Sequence, residues 1–207
     1  MNNTQDQLAQ RLLYLPLDVR EKVLLWLTYK GLKPVSEITA ERRGNIMALA
    51  KRGIRKESQY NFNSSKSKRI RKWIRDAGLY LEVSRDNDTE WHIGKNKDHA
   101  SESAKIIRKF DPENEVKSGL LFGYPEASTR AYTSNKGKDF DEIKKIMVGT
   151  GGLQYEDPFL KDKYYAPYIF YNMPKNRVKE ESQIAKTWAD TIRKDVPKLA
   201  AWFEETK

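Results

Sequence analysis

Cysteine is absent from this 207-residue chain. That excludes disulfides, thiol nucleophiles and every cysteine-based zinc or iron–sulfur site. Histidine is nearly absent too: His92 and His99 are the only two, too few for a His-rich metal centre and a poor start for a His-centred triad. No apolar run approaches the ~18–20 residues of a membrane-spanning helix. The opening Met1–Asp6 has neither a basic segment nor an apolar one, so no signal peptide is expected. What is present is charge (33%) together with 23 Phe, Trp and Tyr residues, too many for a disordered chain. The composition reads as a soluble, cytoplasmic, basic globular protein with no membrane partner. No motif requires a cofactor or a metal, and none fixes a reaction.

The net charge of +10 is unevenly spread. Residues 51–75 hold ten Lys and Arg against Glu57 alone. The cations are Lys51, Arg52, Arg55, Lys56, Lys66, Lys68, Arg69, Arg71, Lys72 and Arg75. The remainder of the chain is close to neutral. A block of this density attracts polyanions through Coulomb force and counterion release. A solvated helix face followed by a linker is the alternative, and an acidic protein is the alternative partner.

Apolar spacing and end signals give the elements. A helix starts after Asp18, which can cap it with Glu21 in a capping box, and stops at Gly31 before Pro34. A shorter helix is expected over 5–14, and another over 40–52. Residues 53–65 read as a polar loop in which Tyr60 and Phe62 are available to stack on unpaired bases. The next helix, 66–77, is two-faced. Ile70, Trp73, Ile74 and Ala77 form one stripe, and Lys68, Arg71, Lys72 and Arg75 form another opposite it. Trp73 shares the apolar stripe and therefore belongs to the core.

A hairpin follows, from Tyr80–Val83 to Glu90–Ile93, with Arg85–Asp88 as its turn. Helices are then expected over 98–110, 112–122, 125–132, 177–194 and from Pro197. Between them lie glycine-rich 148–152 and an aromatic segment, 155–171, expected to be irregular or to form short strands packed on the core. The fold class is α+β, mostly helical with one small antiparallel hairpin. A basic helical region (1–77) precedes a hairpin-plus-helices region (78–207), in one domain or two. Three helices and then a hairpin is the element order of a winged-helix module, with Arg85 and Lys95 as wing cations. The 53–65 connection is long for that motif.

Two resemblances add to this. Gly78-Leu79-Tyr80 followed by His92-Ile93-Gly94 resembles the half-motifs of GIY-YIG nucleases, with His92 in place of the second tyrosine. The resemblance implies a metal-dependent nuclease using Tyr80 and His92. Glu102 and Ser103 stand where the family's helical Arg is expected, Arg108 lies further on, and Glu113 or Glu115 is available as the acidic ligand. Gly123-Tyr124-Pro125-Glu126-Ala127-Ser128 is similar to an uncharacterised prokaryotic family with a Gly-Tyr-Pro-x-Cys-Cys helix start. That similarity spans about 78–190 and implies no function. Ala127 and Ser128 replace the paired cysteines.

Lesser features read as ordinary structure. Asp86, Asp88 and Glu90 lack the glycine and terminal Glu of a calcium loop. Gly149–Gly152 lacks a P-loop's Gly-Lys-Ser/Thr ending. His92 and His99 are expected to face solvent. The reading is a non-enzymatic nucleic-acid-binding protein that uses the ten cations above.

Overall fold

A computed structural model describes residues 3–39, 65–84, 87–106, 111–149 and 166–205. The elements are α1 (Asn3–Leu13), α2 (Val19–Tyr29), β1 (Val35–Thr39), α3 (Ser65–Asp76), β2 (Tyr80–Ser84), β3 (Asn87–Gly94), α4 (Lys97–Ile106), α5 (Pro112–Leu121), α6 (Glu126–Ser134), α7 (Phe140–Ile146), β4 (Met147–Val148), β5 (Met173–Pro174), α8 (Val178–Asp195) and α9 (Pro197–Glu205). Short 3-10 turns at Ala166–Tyr168 and Lys175–Arg177 precede β5 and α8. The fold is α+β and mostly helical, as expected. The helix expected over 40–52, the 53–64 loop, the turn residues 85–86, Gly151 and Gly152, and the aromatics at 155–165 lie outside the described residues. So do four of the ten predicted contact cations, Lys51, Arg52, Arg55 and Lys56.

The end signals act as the sequence dictates. Asp18 accepts the Glu21 amide at 2.8 Å while the Glu21 carboxylate accepts the Asp18 amide at 3.0 Å, a complete capping box for α2. Asp111 caps α5, with Pro112 at a first-turn position where no amide hydrogen is needed. Buried Lys22 on α2 donates to Leu13 O at 2.8 Å, so the amine satisfies a carbonyl at the C-terminus of α1.

A third strand joins the expected hairpin. β1 pairs antiparallel with β3, which also pairs with β2, giving the order β1-β3-β2. Alternation along the strands sorts the residues onto two faces. Ser36, Ile38, Trp91 and Ile93 lie on one, joined by Leu81 and Val83, and this face meets α2 and α3. Ser36 fixes β1 to α2 by bonding Thr28 and Leu24 O. The other face carries Glu37, Glu82 and His92 in register, and α4 covers it. His92 is therefore fully buried, with Nδ1 3.1 Å from Ser103 Oγ. This corrects the expectation of a solvent-facing histidine; only His99 is exposed.

One hydrophobic cluster runs from Leu8 on α1 through Trp26, Trp73 and Trp91 to Trp188 and Phe203. It includes residues from both the 1–77 and the 78–207 regions. Asp195, at the end of α8, accepts Trp26 Nε1 at 3.2 Å and pairs with Lys30 at 3.1 Å, tying α2 to the C-terminal helices. A β4–β5 ribbon and the short α7 were not expected from the sequence. Among the described residues no helix is long and apolar enough to cross a membrane.

Candidate nucleic-acid interface

α3 is built to be two-faced. Ile70, Trp73 and Ile74 recur at helical spacing and are all buried, against α1 on one side and β2 on the other. Trp73 Nε1 donates to Leu8 O at 2.9 Å, so its one polar atom is satisfied inside the core. The helix ends in a Schellman turn. Gly78 sits at φ 67°, its amide reaching Arg75 O and that of Leu79 reaching Ile74 O, both at 3.0 Å. A β-carbon at Gly78 would be strained there, so glycine sets the sharp exit into β2.

The opposite face carries the cations. Lys66, Lys68, Arg69, Lys72 and Arg75 are exposed. Arg71 is half-buried, although the spacing places it in the same stripe. Two of the exposed cations have local duties. Arg69 donates to Tyr14 O at 2.6 Å, and Lys72 lies 3.0 Å from Asp76. Asp76 also accepts from Arg11 of α1 at 2.6 Å. These hydrogen bonds, first Lys72 and then Arg11, hold the Asp76 carboxyl below its usual range. Lys66, Lys68 and Arg75 have no ion pair among the described residues. From Lys66 to Arg75 the helix presents these groups over roughly 14 Å, somewhat under half a duplex turn.

The expectation of Lys95 as a wing cation does not hold. Lys95 follows β3 at the end away from the hairpin turn, and its Nζ lies close to Gly31. Of the residues named by the nuclease resemblance, Tyr80 and His92 share one sheet face two register positions apart and Ser103 meets His92, while the rest are dispersed. Tyr80 is exposed opposite Gly94, while His92 is enclosed beneath α4. Glu102 and Glu113 are exposed on different helices, and Glu115 is paired with Lys136. Arg108 lies outside the described residues.

A second polar centre lies in the interior. Lys33 is 1% exposed, its Nζ 4.6 Å from the ring centroids of both Tyr124 and Trp188 and 5.9 Å from that of Phe170. It donates to Phe122 O. Burial, helped by the Arg20 charge, lowers its pKa to about 7. The Gly-Tyr-Pro segment shapes this centre. Gly123 adopts φ 75° beside Pro34 and the backbone of Lys33, where a β-carbon would lie 3.2 Å from Pro34 Cδ. Ser128 donates to the buried Glu181 carboxylate. Glu181 also stands 3.0 Å from Arg177 Nε, an ion contact without hydrogen-bond geometry, and its carbonyl accepts the Tyr171 hydroxyl at 2.7 Å.

Sequence reasoning missed this centre. Glu181 does carry a signal, since it interrupts the apolar stripe of α8. Lys33 carries none, because nothing local distinguishes it from a surface lysine. Compared with protein-family models, curated proteins and solved structures, the chain has no match in any of the three.

Proposed function

We propose that the chain binds duplex DNA by laying the outer face of α3 along the phosphate backbone and major-groove edge. The observation that carries this reading is the helix itself, whose apolar stripe is consumed by the core while five cations face outward. Phosphates recruit such a face without sequence information, through charge neutralisation and counterion release.

The topology supports the same reading. The order α2, β1, α3, β2, β3, with β3 between the other two strands, follows that of winged-helix modules. In those the helix before the hairpin enters the groove. The helix expected over 40–52 is the element such a module would add. The cations at 51, 52, 55 and 56 precede α3 and would extend the positive field, and a cytoplasmic location fits the partner.

Anisotropy of a labelled duplex tests the reading. Affinity falls steeply between about 50 and 200 mM salt if several phosphates are neutralised. Changing Lys66, Lys68, Lys72 and Arg75 together to Glu lowers affinity by at least ~100-fold and flattens the logarithmic salt slope by roughly three to four units. Unchanged binding by that variant, with its circular dichroism spectrum preserved, overturns the reading. A partner captured equally well after nuclease treatment transfers the basic face to an acidic protein. No plasmid nicking with Mg²⁺ or Mn²⁺ is expected, because His92 has no route to a phosphodiester.

A further inference from the structure

We propose that the cavity between α5, α6 and residues 170–172 is a binding site for a neutral, planar heteroaromatic molecule of one or two fused rings. Its volume is about 330 Å³, at the small end for ligand pockets. Nothing from α3 lines it, so the site is independent of the nucleic-acid reading.

The walls select a flat apolar body. Phe122, Tyr124, Tyr132, Phe170 and Tyr171 all line the space, and Tyr132, 44% exposed, stands at its mouth. The Phe122–Tyr124 and Tyr124–Tyr171 centroid distances are 6.0 and 5.3 Å, so the aromatic surface is continuous. Rings stack on such surfaces with little loss of side-chain freedom, because the walls already hold one another. The helix pair that frames the space is fixed by Gly119. A β-carbon there would fall 2.4 Å from Thr129 Cγ2, so α5 and α6 meet backbone to side chain at that point.

The polar groups select the edge of the ligand. Thr133 Oγ1 is buried and has no hydrogen-bond partner, and the half-buried Ser118 lines the same space. A buried hydroxyl left unsatisfied is costly and uncommon in a native structure. A ring nitrogen or an exocyclic amide within the cavity would satisfy the Thr133 hydroxyl, since a hydroxyl can donate or accept.

Charge sets the last requirement. Glu115 is paired with Lys136, and the Ser128–Glu181–Arg177 group closes on itself. Burial raises the Tyr124 phenol to about 12 and shifts Tyr171 upward as well, so both hydroxyls stay neutral. No Lys or Arg lines the space, so an anion placed here would lose water without meeting an opposite charge, and the lining carboxylate, Glu115, is already held by Lys136.

Saturation-transfer NMR on the full chain with adenine, nicotinamide, indole and nicotinate tests the site. At least one of the three neutral rings binds with Kd below about 1 mM, and nicotinate binds at least tenfold more weakly than nicotinamide. Thr133→Val, which exchanges hydroxyl for methyl at constant shape, weakens that neutral ring about tenfold. Ser118→Phe, which fills the space, abolishes its binding. Should either variant fold poorly, amide shift changes of the wild-type chain on titration must cluster on α5, α6 and 170–172. Absence of binding by all three neutral rings overturns the proposal. So does nicotinate binding as well as nicotinamide, wild-type affinity in both folded variants, or shift changes confined elsewhere.

Discussion

α3 and the Lys33 centre use the same side-chain chemistry to opposite ends. On α3, five lysines and arginines are exposed to water and cost the fold little. At Lys33 one amine is enclosed by two aromatic faces and a carbonyl, and its charge opposes burial. The first arrangement is an outward-facing field. The second couples the chain just before β1 to the Gly-Tyr-Pro turn after α5. Position relative to the core, rather than residue type, decides which role a cation takes.

The largest expected effect falls where the two regions share a foundation. Trp73 is fully buried on a helix packed between α1 and β2 and satisfies its indole nitrogen on Leu8 O. Trp73→Ala costs about 3–5 kcal/mol, and the freed carbonyl adds to the cavity. Urea unfolding should show a lower midpoint, and DNA binding should be lost together with the fold. A variant that unfolds no more easily than wild type would mean that α3 does not depend on its apolar stripe.

That stripe was legible in the sequence because periodicity and end signals are local. Asp18, Gly31, Asp111, Pro112 and Gly78 each act on their own turn, so the capped ends of α2, α3 and α5 were readable. β1 was not. Val35–Thr39, Val-Ser-Glu-Ile-Thr, lacks the apolar–polar alternation of a strand, its partner β3 lies more than fifty residues on, and no local rule supplies a distant neighbour. The burial of His92 follows from the packing of α4 over β2 and β3, a tertiary contact that the strand pattern does not announce. Ser128, Glu181 and Tyr171 come from separate helices and a loop, and their meeting is a product of tertiary packing alone.

A smaller effect separates the buried amine from the exposed ones. An isolated lysine in the unfolded chain titrates near 10.5, while Lys33 in the folded chain titrates near 7. Below pH 7 both states are protonated, and the folded state carries the full burial penalty. Between pH 7 and 10.5 the unfolded chain binds the additional proton, so raising the pH favours the folded state. Lys33→Met removes this dependence. The stability difference between Lys33→Met and wild type should therefore be greatest near pH 6 and shrink by about 2–4 kcal/mol by pH 10, the ring contacts offsetting part of the full shift. Chemical denaturation of both proteins across that range gives the answer. A difference independent of pH would show Lys33 charged throughout, held by its aromatic neighbours.

The smallest expected effect on the fold is also the most direct probe of the surface. Asp76 is the carboxylate that Lys72 and Arg11 share at the end of α3. Its carboxyl is held below the usual range, so its pairing is present at neutral pH and is lost as pH falls through that lowered value. Exposed ion pairs contribute little to stability, and Asp76→Asn should leave the denaturant midpoint almost unchanged. The consequence for DNA should be larger. The substitution removes one negative charge beside the helix and releases two cations. Affinity should rise severalfold at low salt, with the logarithmic salt slope steeper by roughly one to two units. The gain should fade at high salt, where screening reaches ~3 Å. If Asp76→Asn weakened binding instead, the carboxylate would be positioning Lys72 and Arg11 rather than competing for them. The contact surface would then be ordered by its ion pairs as well as by its charge.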